Sequence, residues 1–95
     1  MSALESGRRA KSAVTRDFYV FAVRAAQDPQ AMLRVAGLFA QRNIVPHQLS
    51  CRTSGSSLLI DVEVALEAPE IARLLLEKIR SIVCVERASL VEGKV

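Results

Sequence analysis

Twice in its 95 residues this chain runs an apolar, strand-like stretch into an X-Pro step and then into helical periodicity, at Asp28-Pro29 and at Ala68-Pro69. Proline fixes φ and has no N–H, so it suits the first position of a helix and is rejected from helix interiors and central strands. Each step therefore marks a switch from strand to helix. A chain this short holds one domain, so two strand–helix units must share one sheet and one core.

The segments between these marks set the order of elements. Asp17 to Ala25 is rich in β-branched and aromatic residues, with Tyr19, Phe21 and Val23 on one face and Phe18, Val20 and Ala22 on the other. Two apolar faces suit a central strand covered at least partly on each side. After Asp28, a good N-cap, Met32, Val35, Ala36, Phe39 and Ala40 recur at helical spacing, with Arg34, Gln41 and Arg42 opposite them. Asn43 can take the left-handed conformation that ends a helix, and Pro46 blocks its resumption. His47 to Thr53 alternates in a mostly polar way, as an edge strand does. Ser54-Gly55-Ser56 reads as a turn, and Leu58 to Leu66 as a stronger strand with Leu58, Ile60, Val62 and Val64 inward. Pro69 to about Ile82 is a second helix on an Ile71, Leu74, Leu75, Ile79 and Ile82 stripe. Glu70–Arg73 and Glu77–Arg80 are spaced as surface pairs on it. Val83 to Val91 is the last strand.

Strand, helix, strand, strand, helix, strand is the split βαβ arrangement. The expected fold is α+β: a ferredoxin-like βαββαβ sandwich, a four-stranded antiparallel sheet with two helices on one face. Its first and third strands are central and its second and fourth are edges. Gly37 interrupts the first helix at a cost of about 1 kcal/mol relative to Ala. Close packing of that helix against the sheet or a paired helix is the expected reason, with plain tolerance as the other reading.

Charge is unevenly placed. Lys and Arg total 13 against 10 Asp and Glu. Residues 1–16 hold Arg8, Arg9, Lys11 and Arg16 against Glu5 alone, so the chain from Asp17 onward balances nine against nine. The expected organisation is a disordered basic leader over 1–16, a domain over 17–91 and a short end over 92–95. The leader lacks the apolar run of a secretory signal. No stretch approaches the roughly 18 apolar residues of a membrane span. A cytoplasmic protein without membrane contact is expected.

The inventory for chemistry is thin. Cys51 and Cys84 stand far apart with no CxxC pairing, and both read as small buried hydrophobes. One histidine, His47, and two scattered cysteines supply no metal site. On a strand, His47 and Cys51 would lie about 13 Å apart, too far for a nucleophile–base pair. The glycines are isolated at 7, 37, 55 and 93, so no phosphate loop is present. Bases would stack on exposed aromatics of the central strands. The third strand has none, and its outward Asp61 and Glu63 repel phosphate. No catalytic residue, cofactor or nucleic-acid partner is expected.

The run Met32-Leu33-Arg34-Val35-Ala36-Gly37-Leu38-Phe39-Ala40-Gln41-Arg42-Asn43-Ile44 resembles the first helix of the ACT domain, and Arg34 to Arg42 is close to the wording of acetolactate synthase small (regulatory) subunits. The element order agrees from Asp17 to about Val91, as in the short, single-domain form. The resemblance implies a non-catalytic regulatory module. It would be a homodimer binding a small, possibly branched-chain, amino acid and modulating a separate catalytic subunit in branched-chain amino acid synthesis. It implies a ligand site near the loop between first strand and first helix, carried over to Asp28, Gln30, Ala31, Met32 and Val45. N–H groups at the helix start would favour a carboxylate, while Asp28 caps the helix, attracts an ammonium group, or both. The family's usual loop glycine falls here on Gln30, an Asn before it on Gln27, and an Asn of the following turn on Val45. The Gln30 side chain either fills the pocket or extends it; in the former case the chain is an interaction module with a degenerate site. The second strand, through His47, Leu49 and Cys51, is the implied dimer edge.

Overall fold

The computed structural model describes residues 17–93. The basic leader of residues 1–16, and residues 94–95 of the end, lie outside the described residues. Four strands and two helices follow in order: β1 (Asp17–Ala26), α1 (Pro29–Ala40), β2 (Gln48–Ser54), β3 (Ser57–Leu66), α2 (Pro69–Arg80) and β4 (Val85–Gly93). The strands form one antiparallel sheet in the order β2-β3-β1-β4, so β1 and β3 are central and β2 and β4 are edges. This is the ferredoxin-like arrangement expected from the order of elements.

Period-two alternation decides what is buried. Tyr19, Phe21, Val23 and Ala25 of β1 and Ile60, Val62, Val64 and Leu66 of β3 turn toward the helices and are buried. They meet Ala31, Val35 and Phe39 of α1 and Ala72, Leu75 and Ile79 of α2. At the centre, Phe21 and Phe39 pack edge to face at 5.3 Å and 78°, joining the first strand to the first helix. β2 and β3 are joined by the two-residue loop Gly55-Ser56, since Ser54 pairs with Ser57. Gly55 takes φ 61°, which tight hairpins require and L side chains resist. Asn43, at φ 58°, ends α1 as its composition suggests. The opposite face of β1, with Phe18, Val20 and Ala22, is half-buried and has no helix over it among the described residues.

Several local expectations are corrected. In both helices the inward face is rotated toward alanine. Ala31 and Ala72 are buried, whereas Met32, Ala40 and Leu74 reach solvent. Small side chains let a helix approach the sheet, and the longer ones at the rim lie over its edge. α2 ends at Arg80, not Ile82, and β4 begins at Val85, leaving Val83 98% exposed in the connection. Arg80 donates to Ala88 O from Nε at 3.2 Å and Nη2 at 3.0 Å, fastening the end of α2 to β4. The Glu77–Arg80 pair forms at 3.4 Å; Glu70–Arg73 is not an ion pair among the described residues. Cys51 is exposed and Cys84 half-buried, so neither is the buried hydrophobe expected. Cys51 faces the helix side on the edge strand β2. Gly37 does not pack closely against the sheet, because a Cβ there would meet nothing within 4 Å in the single chain.

Two predictions follow from the packing. Gly37→Ala removes backbone entropy from the unfolded chain without a clash, so it should stabilise by about 0.5–1 kcal/mol in a denaturant titration; destabilisation would show a neighbour the single chain lacks. The Tyr19 hydroxyl is buried with no hydrogen-bond partner among the described residues. Burial first, then the nearby Glu92 and Asp17 carboxylates, raise its pKa; Arg73 opposes them, and Glu70 adds the smallest upward effect. A raised acid pKa means the unfolded chain releases this proton first. Its effect on stability is therefore flat below pH about 10 and unfavourable as pH rises from there toward the raised value. Tyr19→Phe should equal or exceed the native protein in melting temperature at pH 7, and its stability should fall less between about pH 9 and about pH 11, roughly one unit either side of a phenol's ordinary pKa.

Candidate functional site

The turn from β1 into α1 is fixed by its own polar groups. Asp28 N–H donates to Ala26 O at 2.7 Å, and Ala31 N–H donates to Asp28 O at 2.9 Å. Asp28 Oδ1 accepts from Gln30 N at 2.9 Å, the bond of an N-cap. Gln27 Nε2 donates to Gly55 O at 2.7 Å and to Ser57 O at 3.3 Å, tying the loop to the β2–β3 hairpin. Ala26 N–H donates to Cys84 O at 2.9 Å on the other side. The loop is thus held to both neighbouring strand connections. The N–H groups of Asp28, Gln30 and Ala31 are occupied by the chain itself, and Pro29 has none.

Beside this turn lies a cavity of ≈ 240 Å³ lined by Asp28, Gln30, Arg34, Ile82, Val83 and Cys84. Its size is just below the roughly 300–1,000 Å³ usual for ligand pockets. Asp28 and Arg34 bring opposite charges to it, and Ile82 and Val83 an apolar wall. Arg34 is the residue that sequence reasoning missed, having placed it on the solvent side of the helix. Its spacing of four from Gln30 is the signal that could have found it, since such residues share a helix face.

The residues expected at the site are not all together. Asp28 and Gln30 line the cavity, while Ala31 is buried in the core and Met32, 37% exposed, is not among the lining residues. Val45, 85% exposed, lies past the far end of α1. Twelve helical residues separate the two places, about 18 Å. Val45 instead borders a larger cavity of ≈ 500 Å³ with Arg42, His47, Glu67 and Ile71. His47 donates its N–H to Glu63 O at 2.8 Å, and its ring meets Phe18 edge-on at 4.8 Å. His47, just before β2, and Leu49 and Cys51 within it are all exposed, and the outer edge of β2 carries no strand within the described residues. No three of His, Cys, Asp and Glu gather to hold a metal among the described residues. No described helix is long and apolar enough to cross a membrane.

Comparison with known proteins agrees with this fold. The chain is similar to the ACT domain of a GTP pyrophosphokinase from Chlorobium tepidum, at 8% identity and a TM-score of 0.72 over 81% of this chain and 100% of that one. It is similar to the C-terminal domain of the MgtC protein of Mycobacterium tuberculosis, at 15% identity and a TM-score of 0.70 over 83% and 89%. It also matches a homoserine dehydrogenase from Thiobacillus denitrificans, at 14% identity and a TM-score of 0.64, over 85% of this chain but 18% of that one. At these identities the likeness is one of fold. No curated protein sequence matches the chain. A family profile for ACT-like domains matches residues 12–94, and the chain belongs to that family.

Proposed function

We propose that the protein is a non-catalytic regulatory module, a homodimer that binds a small amino acid and modulates a separate biosynthetic enzyme. The observation that carries this reading is the unpaired, exposed edge of β2 together with the position of the β1–α1 turn. β2 starts at the far end of α1 from that turn and finishes beside it, where Gln27 holds Gly55. If two β2 strands pair antiparallel, the start of one lies against the end of the other. Val45 of the second copy then approaches the first copy's Gln27 and Asp28. The two halves of the expected site, about 18 Å apart in one chain, are completed by a dimer through His47, Leu49 and Cys51. Asp28 and Arg34 match the ammonium and carboxylate of an amino acid, with Ile82 and Val83 suited to an aliphatic side chain.

Acetolactate synthase, in branched-chain amino acid synthesis in the cytoplasm, is the partner enzyme we favour, on the likeness of Arg34 to Arg42 to its small subunits. A second reading is an interaction module with a degenerate pocket. Two observations favour it: Gln30 stands in the cavity, and the helix N–H groups that would receive a carboxylate are already bonded to Asp28.

Four measurements separate these readings. In a Cys84→Ser background, Cys51 of two copies should be joined by a short bis-maleimide; absence of the cross-linked species would rule out the β2 edge. Calorimetry against the amino acids should show binding of an aliphatic one at millimolar concentration or below, and no heat with any of them would sink the sensing role. Asp28→Asn retains a good N-cap and should melt within about 0.5 kcal/mol of the native protein, whereas Asp28→Ala should lose about 1 kcal/mol. If Asp28 holds the ammonium group, both should bind the amino acid at least tenfold more weakly. A Gln30→Gly, Val45→Asn double variant that gains binding where the native chain has none would support the degenerate pocket.

A further inference from the structure

The sheet face turned away from the helices carries charges that the fold does not use. The register sets Arg52, Leu59, Arg24 and Arg87 in one row across all four strands. The three arginines line one groove of ≈ 230 Å³ together with Asp61. Arg24 and Arg87 are direct cross-strand partners, and like charges placed so oppose strand pairing. Arg24 Nη1 donates to Ser57 Oγ at 3.2 Å, and Ser57 Oγ donates to Glu86 Oε1 at 3.3 Å. None of the three guanidiniums is in an ion pair among the described residues. Further along β3 on the same face, Asp61 and Glu63 line an adjoining groove with Val20, and they too have no ion pair there.

We propose that this face is self-complementary: a second copy packs its open sheet face on the first about a two-fold axis. Arg24 then meets the other copy's Asp61, and Arg87 its Glu63. The register makes the match quantitative. Asp61 lies one strand across and two residues along from Arg24; Glu63 lies two strands across and four residues along from Arg87. With strands about 4.8 Å apart and about 3.4 Å per residue, these vectors are parallel, the second twice the first. A two-fold axis in the plane of the interface, perpendicular to both, therefore passes within about 2 Å of both midpoints. By symmetry it makes each contact twice. The strands of the two sheets then cross at about 70°, toward the orthogonal class of sheet packing.

Val20 and its register partner Val91, both on this face, add apolar surface to it. The face spans on the order of 400 Å² in projection. The interface is thus small, and its charges decide whether it forms. A polyanion would account for the arginines alone, and Asp61 in the same groove opposes it. A second copy accounts for both signs. This face is separate from the β2 edge, and the use of both would join dimers into tetramers.

The test is the mass of the full chain by sedimentation velocity in low and high salt, with folding followed by circular dichroism. Arg24→Glu with Arg87→Glu makes the face acidic, and Asp61→Arg with Glu63→Arg makes it basic. Each pair of changes should halve the low-salt mass, and an equimolar mixture of the two variants should restore it. Salt should dissociate the native assembly in the same way. Arg52 lies beside the proposed axis and faces its own copy, so Arg52→Gln should keep the native mass or strengthen the assembly. Native mass in both charge-reversed variants, or a mixture of folded variants that fails to recover, would overturn the proposal. So would tripolyphosphate binding that Arg52→Gln abolishes at unchanged mass, which would mark an anion site. Should a reversal unfold the chain, Arg24→Gln with Arg87→Gln provides the same reading.

Discussion

The structure depends on β1 being a strand with pairing on both sides and apolar residues on both faces. Its helix side, Tyr19, Phe21, Val23 and Ala25, supplies the middle of the core. Its two edges hold β3 and β4, which are otherwise separated by a helix in the chain. The Phe21–Phe39 contact then draws α1 over this strand rather than over an edge. Both X-Pro steps launch helices from the C-terminal ends of the central strands, which lie at opposite ends of the sheet because β1 and β3 are antiparallel, and right-handed crossovers put both helices in one layer. The other face of the sheet is left without cover.

This explains how much of the fold was legible. Strand identity, strand order and the inward face of β3 follow from period-two alternation and from the two prolines, which are strong local signals. The phase of each helix was less legible. Apolarity alone draws the eye to Met32 and Leu74, but the first position of each buried stripe is taken by a small residue, ahead of Val35 and Phe39 in α1 and of Leu75 and Ile79 in α2. Ala31 and Ala72 occupy these positions. A scale that ranks residues by hydrophobicity rotates each helix the wrong way. Gly37 misled for a related reason, since a helix glycine suggests contact and the space beside it is open. The exposed Cys51 is a property of its place on the edge strand β2.

The site was legible in its parts and not in its assembly. Asp28 before proline announces a cap, and the cap is there. The same bond uses an N–H group that a bound carboxylate would want, so good helix capping and anion binding compete at this turn. Arg34 escaped attention because a helix stripe divides residues into inward and outward and has no category for one reaching a neighbouring loop. Val45 was placed at the site by likeness to a family motif. In one chain it stands at the other end of α1, and only an antiparallel meeting of β2 strands would bring it back. Sequence motifs record what lies together in an assembly, and folding a single chain need not reproduce it.

Charge arithmetic has the same limitation. From Asp17 onward the chain balances nine against nine, and on that ground it looks electrically inert. The register shows that balance is not uniformity. On the uncovered face three arginines share a row at one end, and the two carboxylates follow along β3. The sum of these charges is small, but their arrangement has a direction. A sandwich with one layer of helices must leave one sheet face for solvent or for a partner. On a face for solvent alone, opposite charges would be expected to sit as cross-strand neighbours, since that arrangement supports the sheet. Here like charges are neighbours and opposite ones are offset by two residues or more. Such an arrangement costs the isolated sheet a little stability and yields a pattern that a second surface can read.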